Sequence, residues 1–198
     1  MKTLRAFFLG SIAALALNAA HATTVIPPTF DQLVTRAQII FQGAVTDVQS
    51  QWVGEGAQRH IVTDVTFKID ESLKGDAGSS YTIRMLGGTV GDQTMAVSDA
   101  PKFKIGDRDI LFVENNGSQF IPLVGIMHGR FRLQKNEATR ADVVVSEHGE
   151  PLGDLSKLGK DQPATNGGRV DTDAAAATKS MGADDFKAAV RAKLAATP

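Results

Sequence analysis

The chain contains no cysteine among its 198 residues. That closes the thiol nucleophile, the thiolate metal site and the disulfide staple together, so stability must come from an ordinary hydrophobic core. Runs of Lys and Arg are missing as well, and 21 basic against 22 acidic side chains give a formal charge of −1. Nucleic acid wants a basic patch that displaces condensed counterions, so this surface argues against it as a partner. Beyond the first two dozen residues no stretch approaches the roughly 18 consecutive apolar residues that a membrane-crossing helix needs. The catalytic signatures that can be recognised locally are also missing. No HExxH brings two histidines to one helix face, no GxSxG elbow surrounds a serine, and no Lys-Ser/Thr closes a phosphate loop.

What is present begins with a leader. Lys2 and Arg5 precede an uncharged apolar run from Ala6 to Leu17, and Ala20-His21-Ala22 places small residues where a signal peptidase cuts. The expectation is a signal peptide over 1–22 and a mature chain starting at Thr23. That chain is exported to the periplasm or beyond the cell and is not inserted in the membrane. Cleavage takes Lys2 and Arg5 from the 21 basic residues, leaving 19 against 22 acidic ones and a net charge of −3.

The mature part is patterned for strands. Thr29 is a candidate N-cap for a short helix in which Phe30, Leu33, Val34 and Ala37 recur at helical spacing. "IIFQGAVTDV" follows, a β-branched run in which Gly43 marks a bulge or corner. In "HIVTDVTFKIDESLKG", Ile61, Val65, Phe67, Ile69 and Leu73 take one parity and Asp64, Thr66, Lys68 and Asp70 the other. "SSYTIRMLGG", "DILFVENN", "SQFIPLVGI", "GRFRLQK" and "ADVVVSE" extend the series, with "ENNGSQ" as a hairpin turn. The predicted fold is mainly β, a small OB-like barrel, closed or partly open, over 23–147. Val65, Phe67, Ile69, Leu111 or Val113, and Phe131 are its expected common core. Residues 148–182 are polar and predict a flexible linker, and 183–198 a short amphipathic helix with Phe186, Val190 and Leu194 in one stripe.

Candidate chemistry is thin. The mature histidines are His60, His128 and His148, and a metal site would have to be assembled from distant strands, so no metal and no cofactor are assigned. Gly87, Gly88 and Gly91 in "LGGTVGDQ" suggest a phosphate cradle, but no helix follows, and a rim loop of the barrel is the better reading.

The succession "AQIIFQGAVTDV", "VTFKIDESLKGD" and "APKFKIGDRDILFVE" resembles the netrin-type domain of tissue inhibitors of metalloproteinases over about residues 23–114. The resemblance implies an OB barrel with flanking helices, and it implies a site. Those inhibitors begin Cys-Thr-Cys-Val-Pro-Pro, and their first residue's amine and carbonyl bind the catalytic zinc of the protease. Here Thr23-Thr24-Val25-Ile26-Pro27-Pro28 matches at Thr24, Pro27 and Pro28, while Thr23 and Val25 replace the two cysteines. The layout is also similar to uncharacterised exported bacterial proteins, a likeness that implies no function. Two readings stand. One is a non-catalytic module that binds an exported protein, such as a zinc protease, through Thr23 to Pro28 and the rim loops. The other is a small-ligand-binding barrel or hydrolase using the barrel mouth near Gly87 to Gly91 and His128. On the plainest alternative, "TTVIPP" is only a stiff spacer into the first helix.

Overall fold

The computed structural model describes residues 26–160 and 180–196. Its order is α1 (Phe30–Arg36), β1 (Ile39–Val53), β2 (His60–Lys74), β3 (Ser80–Leu86), β4 (Gly88–Val90), β5 (Gln93–Met95), β6 (Arg108–Val113), β7 (Arg130–Lys135), β8 (Asp142–Val145) and α2 (Ala183–Ala195). Six strands form an antiparallel sheet in the order β3-β2-β1-β6-β7-β8, and β4-β5 is a separate ribbon. The sheet does not close on itself, so the fold is mainly β, a partly open barrel with a short helix at each end.

The adjacent apolar residues of β1 and β6 are explained by two buried faces, which replace the usual alternation. Ile40, Ile110 and Phe112 join Leu33, Val34, Phe186 and Val190 beneath the two helices. Phe41, Leu111 and Val113 point the other way, into the curl of the sheet, with Val65, Phe67 and Ile83. Phe131 corrects the expected single core. Its partner across the ladder is Ile110, so it shares the helix side and stacks on Phe186 with ring centroids 4.8 Å apart. Val65, Phe67, Leu111 and Val113 do share one cluster, and Ile69 packs against it.

Both expected helices form. Thr29 accepts from Gln32 N–H while the Gln32 side chain accepts from Thr29 N–H, a capping box that starts α1. At its other end the Lys74 ammonium donates to the Val34 and Thr35 carbonyls at 2.8 and 3.1 Å. A cation there suits the negative end of the helix. Gly43 lies at a register shift of β1, and a Cβ there would stand 2.7 Å from the Lys68 carbonyl oxygen.

Two expectations fail. "SQFIPLVGI" is no strand: Pro122 lacks a donor, Gly125 and Ile126 have φ of +65° and +63°, and the segment crosses as a loop that buries Ile121, Leu123 and Val124. Residues 148–160 are no free linker. Leu152 is buried in the helix-side core with Leu155 and Leu158 packed beside it, and Leu152 N–H donates to the Val144 carbonyl at 3.0 Å. With Met181, whose carbonyl accepts from Val144 N–H, this segment covers the outer edge of β8. At the opposite edge Asn116 imitates a strand, accepting from Arg84 N–H and donating to the Thr82 carbonyl. Pairing groups at both edges are thus occupied, which blunts strand addition there. The predicted signal peptide, Thr23 to Val25 and the linker between 161 and 179 lie outside the described residues.

Candidate functional site

The motif Phe103-x-x-Gly106-Asp107-x-Asp109 folds around one side chain, Arg130 at the start of β7. Gly106, at φ +91°, makes the turn that leads into β6. Asp107 closes it by accepting from Lys104 N–H at 3.0 Å and then turns its other contact to Arg130 Nη2 at 2.8 Å. Asp109 takes Arg130 in a fork, Nε to Oδ1 at 2.9 Å and Nη2 to Oδ2 at 3.1 Å. Arg130 Nη1 donates to the Lys102 carbonyl at 2.8 Å and to Glu147 at 3.3 Å. Phe103 lies flat beneath, its ring centre 4.0 Å from the guanidinium carbon. Every guanidinium donor is occupied, and the Arg130 side chain is 1% exposed.

Three carboxylates around one guanidinium leave an excess of two negative charges, with Asp109 fully buried and the Asp107 and Glu147 side chains 21% and 18% exposed. Burial therefore pushes the Asp109 carboxyl up to about 6 despite its contact with Arg130. Burial also raises Glu147. Desolvation of this kind, set against a specific partner, marks a region where ionisation carries information.

Above the cluster is a cavity of about 60 Å3 whose wall includes Arg130, Glu147, His128, His148, Pro27 and Pro28. Burial, with the neighbouring His148, holds the His128 imidazole below its ordinary value. Pro28 is buried against the 125–128 turn: a Cβ on Gly125 would stand 2.9 Å from Pro28 Cδ and 3.4 Å from His128 Cβ. From the other side Gly159, at φ +79°, presses its backbone to Thr29, where a Cβ would come within 2.7 Å of the Thr29 nitrogen. Two residues before Pro28 the chain is in solvent, with Ile26 80% exposed.

The structure thus brings Pro27 and Pro28 to His128 and His148 around one cavity, while Ile26 stands in solvent and the glycines lie elsewhere. Gly87 and Gly88 pack on the far half of the β1-β2 hairpin, where the Thr63 hydroxyl donates to the Gly87 carbonyl at 2.6 Å and hydrogen-bonds the Ser50 hydroxyl at 2.9 Å. A Cβ on Gly88 would fall 2.2 Å from the Thr63 hydroxyl, so the glycines serve close packing. Gly91 is at the tip of the β4-β5 ribbon. His128 lines the cavity with Pro27 and Pro28, whereas Gly87 and Gly88 pack on Met95, Val97, Thr63 and Ser50, so the expected grouping of His128 with the glycines at one barrel mouth does not form there. His60 lies apart at the start of β2, on the Gln58 carbonyl. Among the described residues no group of three His, Asp or Glu side chains is spaced to hold a metal ion.

Arg130, Asp107, Asp109 and Glu147 were not legible as a group from sequence. Their signal was local, two acids flanking the turn "GDRD" ahead of a fully buried strand, and the distant partner "GRF" gave no hint of the pairing. Comparison with protein-family models, with curated proteins and with solved structures finds no match.

Proposed function

We propose that the protein is an exported, non-catalytic binding module that contacts a protein partner through the segment leading into Pro28. The observation that carries this is the contrast between a buried Pro28 and an Ile26 that is 80% exposed. A terminal segment is mobile unless tied down, and binding through a mobile one costs ordering entropy. Here the contacts of Pro28 with Gly125 and of Thr29 with Gly159 hold the root of the ridge where a disulfide would hold it in the inhibitors it resembles. An exported zinc protease is the partner class that the resemblance suggests.

The small-ligand reading has less support. The cavity beside Pro28, about 60 Å3, is far below the roughly 300–1,000 Å3 of drug-sized ligand sites. A wider hollow at the β7-β8 turn is an open dish lined only by Lys135, Asn136, Glu137 and Arg140. The deciding experiment offers immobilised mature protein and its Ile26→Asp variant to the exported proteins of the producing cell. Capture of a protease by the first and not the second supports the ridge. Equal capture, or none, rejects it.

A further inference from the structure

We infer that two copies of this chain pair through the open edge of β1 over residues 46–53, antiparallel about a two-fold axis at Ser50, so that their sheets join. This surface is separate from the segment at Pro28, and neither reading depends on the other.

Strand lengths create the edge. β1 has 15 residues and β6 only 6. β1 pairs with β2 from Ile40 to Val53, yet its ladder with β6 ends at Ala44 and Arg108. The turn before β6 adds one last exchange, in which Gly106 N–H donates to the Val45 carbonyl at 2.9 Å and Val45 N–H to the Asp107 carbonyl at 2.8 Å. Beyond it, among the described residues, no group outside β2 hydrogen-bonds the backbone of residues 46–53. In an antiparallel pair alternate residues turn their N–H and C=O away from the partner strand, so this stretch presents an unpaired row. The β4-β5 ribbon lies over the face of the hairpin at this level, where Gly88 abuts the hydroxyls of Ser50 and Thr63 that stand off the sheet. Thr46, Gln49 and Gln51 are exposed and the rest of the stretch is half-buried. The outer strands β3 and β8 have their pairing groups occupied, whereas residues 46–53 carry neither the Pro nor the Lys that blunts an open edge, and Asp47 is their only charge.

An open edge accepts any extended backbone, so side chains choose the occupant. Read outward from Ser50, the chain is nearly the same in both directions: Gln49 and Gln51, then Val48 and Trp52. Antiparallel pairing about Ser50 sets Gln49 of one copy opposite Gln51 of the other on one face, and Val48 opposite Trp52 on the other face. The amides donate to and accept from each other, and an aromatic ring against a β-branched side chain is a favourable cross-strand pair. Asp47 falls opposite Val53, so no like charges meet. Ile105, 70% exposed beside the Gly106–Val45 contact, stands where the turn after Val53 of the second copy arrives. The same patch serves both copies, so the assembly closes at two. Eight residues a side make a small interface, and the dimer is therefore weak and dependent on concentration.

The test is sedimentation of the mature chain from about 10 μM to about 1 mM, a span that reveals dissociation constants weaker than micromolar. The expected result is an average mass rising from one chain towards two. Gln49→Lys with Gln51→Lys sets ammonium opposite ammonium and should hold the chain as a monomer. Gln49→Glu with Gln51→Lys alters the same two exposed positions but sets opposite charges face to face, and should keep the dimer. In a mixture of labelled and unlabelled native chains, isotope-filtered NMR should show contacts from the Val48 methyls of one copy to the Trp52 ring of the other. A native chain that stays monomeric throughout overturns the proposal. So does a dimer that survives the two-lysine change, one lost in the Glu–Lys variant, or one without the Val48–Trp52 contact, since each places the association elsewhere.

Discussion

Arg130 and Asp109 meet in a two-bonded fork at 2.9 and 3.1 Å, with side chains 1% and 0% exposed. The pair ties the start of β7 to β6, and Asp107 and Glu147 extend it to the turn before β6 and the segment after β8. Arg130→Met replaces a charge by a side chain of similar length and leaves the fully buried Asp109, with the partly exposed Asp107 and Glu147, without their cation. At neutral pH this substitution is expected to cost about 3–5 kcal/mol, the usual penalty for breaking a buried pair from one side. Urea denaturation measures it, and the loss should shrink as the pH falls and the carboxylates take protons. A loss under about 1 kcal/mol would mean that the cluster is hydrated in solution.

The same pair fixes a pH dependence with a definite sign. Asp109 has its folded value raised from 3.8 to about 6 by burial, so the folded protein holds the proton more tightly than the unfolded chain does. Its contribution is fully present below the unfolded value and is lost as pH rises through about 6. The span corresponds to about 3 kcal/mol, falling between about pH 4 and 6. Asp64 and Asp142 run the other way. Their hydrogen bonds from Arg84 and Arg108 lower them, so their contribution stands above the unfolded value and is lost as pH falls through values below 3.8. The two windows barely overlap. Asp109→Asn should flatten the profile between about pH 4 and 6 and leave the acid limb alone, measured as denaturation midpoint against pH.

Much of the fold could be read from residue order because local and global preferences agree. The parity of Val65 and Phe67, the cap at Thr29 and the stripe of Phe186 and Val190 each report a single nearby periodicity, and each is realised. The failures have a common cause. "SQFIPLVGI" and the segment around Leu152 take their conformation from distant partners, Phe112 and Val144, which no local period encodes. The site was hidden for the same reason: Arg130 lies far along the chain from the Phe103–Asp109 motif that encloses it. Of the opening ridge, the sequence marked Pro27 and Pro28 but not Gly125 and Gly159, whose lack of a Cβ lets them anchor it.

Phe67 is the direct check on the barrel interior. It is fully buried and stacks edge-on with Phe41 and Phe103, at 5.4 and 5.5 Å between ring centres. Phe67→Ala should cost about 3–5 kcal/mol. Since Phe103 also floors Arg130, the same substitution is expected to loosen the ionic cluster, visible as a shift of the Asp109 carboxyl resonance in carbon NMR titration. An unchanged Asp109 titration with the full loss of stability would separate the two layers.

The ridge itself is tested at its free end. In tissue inhibitors of metalloproteinases the first α-amine coordinates the protease zinc, and under the proposed reading a cut after Ala22 would place that amine on Thr23. An α-amine with an ordinary value near 7.7–8.0 is partly neutral at neutral pH and so can donate to a metal. Pro27 and Pro28 fix their own φ and bias Ile26 towards an extended backbone, the stiff root from which, on this reading, the amine of Thr23 is presented. One added alanine moves it by about 3.3–3.6 Å of chain, well beyond what a zinc–nitrogen bond of about 2.0–2.1 Å tolerates. Inhibition of a panel of exported zinc proteases by the correctly cut protein, lost in the form with one alanine before Thr23, is the expected outcome. A second variant guards against misreading a failure. Gly159→Ala presses a Cβ onto the Thr29 backbone at the root of the ridge, so it should weaken inhibition even with the native N-terminus. Equal inhibition by native and extended forms, or none by either, leaves "TTVIPP" as a spacer and moves the contact surface elsewhere on the barrel.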